Sequence, residues 1–175
     1  MATLTEGVHA LEFLLSYSRS CRSFESGVVA AGQVCLSGQV LGRLLGAAAE
    51  VVTGDGDGTI SAITVGANAQ PGVYTLTCTA ESANAGTFSV RTPGGYPLPD
   101  LTVGVAYAST HINLTVGDGA EDWDTGDVIE VTVTGGNYSA FDPSADDGSQ
   151  IAAAVLGATT DATESARSAA IVVRD

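Results

Sequence analysis

The chain has 175 residues, 45% of them hydrophobic but only 6% aromatic, so its core is expected to rest on Val, Ile, Leu and Ala. Twenty acidic residues face six arginines and no lysine, a formal net charge of -14. That balance excludes nucleic-acid binding through phosphates, which needs clustered cations to displace counterions.

Residues 1–26 scatter Glu6, Glu12, Arg19, Arg22 and Glu25 around a small apolar group, Leu11, Phe13, Leu14 and Leu15, and read as a partly extended arm. The apolar run at residues 10–15 follows an acid and is too short for an export signal or a membrane span. Synthesis in a cytoplasm and no membrane partner are therefore expected. From residue 27 to 45, Gly32, Gly38 and Gly42 punctuate short β-branched runs, which predicts brief strands joined by tight turns. Two Gly-rich joints follow, TGDGDG at 53–58 and TGGN at 134–137. Between them apolar residues alternate with threonine: Tyr74, Leu76 and Cys78; Ile112, Leu114 and Val116; Ile129, Val131 and Val133. Period two with polar residues outward marks half-buried antiparallel strands. Further strands near 59–65, 87–91 and 104–108 bring the count to five to seven, the pattern of a small sandwich.

Inserted domains enter and leave at neighbouring points. Residues 53–135 are accordingly read as an inserted Ig-like β-sandwich, and residues 27–52 and 136–175 as the two halves of a split, β-rich domain. In the last stretch Asp142 and Pro143 open a turn, apolar runs sit at 151–156 and 169–173, and TTDATESARS between them has room for one helical turn. Residues 151–173 are expected to pack against residues 28–45.

Chemistry-bearing patterns are sparse. Cys21, Cys35 and Cys78 are odd in number and lack C-x-x-C spacing, so neither a disulfide framework nor a zinc site is predicted. The acids Asp118, Glu121, Asp122, Asp124, Asp127 and Glu130 invite calcium, but Gly126 and Asp127 break the EF-hand order, and a solvated turn is the reading kept. Asp55 and Asp57 read as turn residues. No G-x-S-x-G, H-E-x-x-H or phosphate-cradling loop is present. His9, His111 and Cys78 are not assigned catalytic roles, and no enzyme activity, metal or cofactor is expected. Trp123 is read as a ring capping the sandwich end, against the alternative of an exposed ligand contact.

MATLTEG at the start, AGQVCLSGQVLGRL, and DPSADDGSQ followed by AAAVLG, DAT and AAIVVR resemble the head decoration proteins of tailed bacteriophages, the lambda-type capsid-stabilising family. The resemblance implies a β-tulip-like decoration domain and a homotrimer at three-fold sites on the outer surface of the expanded virion capsid. It also implies an N-terminal arm bound to the major capsid protein. On that reading the arm contacts are Thr3, Leu4, Thr5, Glu6, Leu11, Phe13, Arg19 and Arg22. The inserted domain would project outward, with a host-surface ligand as its partner class. The competing reading is an Ig-like adhesive or carbohydrate-binding module on a virion or cell surface.

Overall fold

The computed structural model describes residues 7, 9–14 and 24–173, and they form an all-β chain of thirteen strands. It divides into two units. The first takes in the described residues of Met1–Leu44, Gly136–Ala145 and Ser149–Asp175; the second takes in Leu45–Gly135 and Asp146–Gly148. Two long strands, β3 (Val40–Thr53) and β10 (Val128–Ala140), contribute residues to both units.

In the first unit, β1 (Phe24–Val29) pairs antiparallel with β13 (Arg167–Val172), β13 with β11 (Ala152–Leu156), and β11 with β3. Strand β10 follows β3 in the order and returns to β1 through a parallel pairing of Val29 with Tyr138, which closes the strands into a ring. Closure removes the open edges that invite pairing with other chains. β2 (Val34–Cys35) and β12 (Thr160–Asp161) pair with each other as a separate two-stranded ribbon. Alternation decides the faces: Val29, Leu41, Leu156 and Ile171 are fully buried, whereas Val28 and Val40 point out. With Cys35, Ala154 and Ala162 they make a small core, as the alanine-rich composition requires. Residues 151–173 do pair with residues 28–45, Val155 opposite Val40 and Ser168 opposite Val28.

The second unit has two sheets. One is β10, β5 (Gly72–Ser82), β6 (Ala85–Arg91) and β7 (Pro97–Thr102); the other is β4 (Ile60–Val65), β9 (Ile112–Val116) and β8 (Tyr107–Ala108). Tyr74, Leu76, Phe88, Ile129 and Val131 from the first meet Ile112, Leu114 and Val116 from the second in one core. Tyr74 is buried to its hydroxyl, which accepts the Gln70 N–H at 2.8 Å and lies 3.1 Å from His111 Nδ1. One oxygen thus ties the start of β5 to a neighbouring loop. Tyr74→Phe should cost about 1–2 kcal/mol, because the Gln70 and His111 groups lose their partner while the ring still fills its site. Chemical denaturation of the full chain measures it.

Two expectations need correction. Residues 40–53 form one long strand where brief runs broken at Gly42 were expected; Gly42 does not break it, because an extended glycine stays compatible with a ladder when a neighbour needs the space. TTDATESARS holds no helical turn: Thr160 and Asp161 pair with Cys35 and Val34, and bends follow. In the described part of the arm, residues 10–13 form a turn and residues 24–26 begin the extended strand β1.

Candidate functional site

Of the arm contacts predicted from the sequence, Thr3, Leu4, Thr5, Glu6, Arg19 and Arg22 lie outside the described residues. Leu11 and Phe13 are described, and they sit together. The turn that carries them is held locally by His9 N–H donating to Glu12 Oε2 at 3.0 Å and Leu14 N–H donating to the Leu11 carbonyl at 3.0 Å. It rests on a notch of the first unit made by Ser37, Gly38 and Gly157. Leu11 N–H donates to the Gly157 carbonyl at 2.7 Å. Ser37 Oγ lies 2.9 Å from both the His9 and the Gly157 carbonyl oxygens, so its single hydrogen serves both.

Sterics explain the glycines. Gly38, at φ 80°, holds a turn that other residues adopt at a cost, and a Cβ there would come within 3.2 Å of the Phe13 ring. A Cβ on Gly157 would come within 3.1 Å of Leu11 Cδ2 and 2.9 Å of the Ala170 carbonyl. The notch is smooth because both positions lack side chains. Leu11 and Phe13 nonetheless remain 38% and 39% exposed, and Leu36 beside Ser37 is 54% exposed. Sequence reasoning named Leu11 and Phe13 as arm contacts but gave no sign that Ser37, Gly38 and Gly157 seat them. Gly38 carried a turn signal only, and Gly157, far along the chain, carried none.

The acidic stretch is occupied in capping loops. Asp122 Oδ1 accepts Asn84 N–H at 2.9 Å, Asp127 Oδ2 accepts Asp124 N–H at 3.1 Å, Glu81 Oε2 accepts Thr125 N–H at 3.2 Å, and Asp57 Oδ1 accepts Glu121 N–H at 3.0 Å. Among the described residues no group of three or more His, Cys, Asp or Glu side chains is placed to hold a metal ion. Trp123 is not exposed to a ligand: it is fully buried, its indole N–H donates to the Gly117 carbonyl at 2.9 Å, and its ring meets Phe88 edge-on at 5.4 Å. Cys35 and Cys78 are buried free thiols, and burial raises the pKa of each, which disfavours the nucleophilic thiolate. His111 is engaged by Tyr74.

Residues 101–175 match the family model of bacteriophage lambda head decoration protein D. The C-terminal part of the chain is similar to head-decoration sequence. This decoration family is structural, a capsid-decorating one and not a family of enzymes. The match takes in β8 to β13, which includes the returning strands of the first unit, and does not include residues 1–50, on which the sequence resemblance also drew. A solved structure, Xanthomonas campestris FlgL, aligns over 59% of this chain at 16% identity with a TM-score of 0.38; the chain spans 34% of that protein. No curated protein matches.

Proposed function

We propose that this protein is a head decoration protein that binds the outside of an expanded phage capsid as a homotrimer and reinforces the shell. The observation that carries the reading is the decoration-family match over residues 101–175, which spans the strands that close the first unit. The N-terminal arm supplies the contact with the major capsid protein through Thr3, Leu4, Thr5, Glu6, Leu11, Phe13, Arg19 and Arg22. Ordering such a segment costs about 1–2 kcal/mol per residue in backbone entropy, so a single arm binds weakly. Three arms on one trimer raise the effective concentration of the second and third, with gains on the order of 100 to 10,000-fold. The charge of -14 suits an outward position on a crowded particle, and synthesis in the host cytoplasm suits reduced Cys35 and Cys78. The second unit is the inserted, outward-projecting domain, with residues 53–135 at its centre.

Co-sedimentation of the full chain with expanded, undecorated capsids tests this. The full chain is expected to pellet with the shells and to raise their disruption temperature, and a variant lacking residues 1–14 is expected to stay in the supernatant at the same concentration. Equal behaviour of the two overturns the reading. The adhesive reading draws on one observation: the Tyr74 hydroxyl reaches back to the Gln70 backbone four residues upstream, as a tyrosine corner does in Ig-like sandwiches. Pelleting with host cells but not with capsids favours it.

A further inference from the structure

Resting on the capsid-binding reading, we propose that the turn at residues 9–14 is a latch: the free protein parks Leu11 and Phe13 in the Ser37, Gly38 and Gly157 notch of its own first unit, and the turn leaves that notch when the arm engages the shell.

The seat is specific. One backbone bond, from Leu11 to Gly157, and one shared hydroxyl, that of Ser37, join the turn to two loops that the sequence keeps far apart. Ser37 is itself 8% exposed, and its own N–H is held by Thr159 Oγ1 at 3.1 Å, so its hydroxyl is presented by a fixed backbone. Gly38 and Gly157 clear the space that the Phe13 ring and the Leu11 methyl groups occupy.

The seat is also weak, which separates a latch from a structural anchor. Leu11 stands at φ 60°, the left-handed region that a leucine rarely adopts, so docking holds backbone strain that release relieves. The closing bond from Glu12 N–H to the His9 carbonyl is long at 3.4 Å. Both apolar side chains keep more than a third of their surface in water. A partner groove that covers them fully gains the apolar burial that this notch leaves undone, and that difference drives the exchange. The parked state keeps Leu11 and Phe13 from offering a wholly exposed pair to other proteins before a shell is met.

Residue-resolved amide hydrogen exchange on the full chain, with and without expanded capsids, tests the proposal. In the free chain the Leu11 N–H is expected to be protected relative to an unstructured peptide. Ser37→Ala removes the hydroxyl from the notch without touching the arm, and is expected to speed Leu11 exchange about fivefold, the usual worth of one hydrogen bond. It should raise the apparent capsid affinity in the same direction, because less of the free chain is latched. The Leu41 amide in β3 should exchange as before, which shows the unit intact; if Ser37→Ala disturbs it, Ser37→Cys keeps the volume and weakens the bond, and is read the same way. Leu11 exchanging at the unstructured rate in the free wild type, or faster exchange in Ser37→Ala with unchanged or weaker capsid binding, overturns the latch. A wild-type chain that never sediments with capsids overturns the functional reading instead, and the latch with it.

Discussion

Trp123→Ala is expected to cost the second unit about 3–5 kcal/mol, the range for deleting a fully buried large aromatic side chain. The ring has no exposed surface, meets Phe88 edge-on, and satisfies its N–H on the Gly117 carbonyl. Its other side is walled by backbone. A Cβ on Gly58 would come within 2.7 Å of the indole nitrogen, and one on Gly56 would come closer still to the ring. A cavity there cannot refill from a glycine strip that has no side chains to offer, so relaxation is poor and the loss sits high in the range. Trp123→Phe keeps part of the packing and is expected to lose less. Amide exchange at Leu76 and Ile129, in β5 and β10, reads the change within the unit; a loss under about 1 kcal/mol contradicts the packing argument.

Gly42→Ala is the second large effect, in the first unit. Gly42 lies opposite Ala152 in the β3 and β11 pairing, and a Cβ on it would run into the Ser149 backbone, with the carbonyl carbon at 2.6 Å and the carbonyl oxygen and Cα nearer. Backbone cannot rotate away as a side chain does. One added methyl therefore has to displace a strand or the 149 segment, and about 1–3 kcal/mol or more is expected. Arg43→Ala is the control at the next position. It removes a guanidinium 5.9 Å from the Tyr138 ring and a 3.3 Å bond to the Gly136 carbonyl, both at an exposed site, and should cost no more than about 1 kcal/mol. Thermal unfolding of the two variants side by side checks the order; a Gly42→Ala protein as stable as Arg43→Ala would refute it.

The strands of the second unit were legible because each buries one face only. Tyr74, Leu76 and Cys78 point in while Thr75 and Thr77 stay half-buried, and a period of two cannot be read another way. The pairing of residues 151–173 with 28–45 was legible too, since two short apolar halves with no local partner need each other. Trp123 was harder: its neighbours Glu121, Asp122 and Asp124 are acids, which suggests water on all sides. Those acids face outward while the ring turns in, and the glycines at 56 and 58 that receive it read in the sequence only as part of a Gly-rich joint. Gly42 was read as an interruption for the same reason, because the Ser149 backbone that requires it lies far along the sequence. The seat of the Leu11 and Phe13 turn combines Ser37 with Gly157, and no window of sequence contains both.

The ring of the first unit also fixes an order of events at birth. Phe24 pairs with Val172, nearly the whole chain apart, whereas the ladders joining β4 to β9, β5 to β6, β6 to β7 and β10 to β5 all close within residues 60–133. As the polypeptide leaves the ribosome, every partner for those ladders is therefore available before β11 and β13 have been made. Strand β1 has to wait for β13, and a chain that stops before residue 167 can form the ladders of residues 60–133 while β1 has no antiparallel neighbour. Long-range closure of this kind is slow. Nascent chains will need protection at Val28 and Val29 for most of the time that the ribosome holds them.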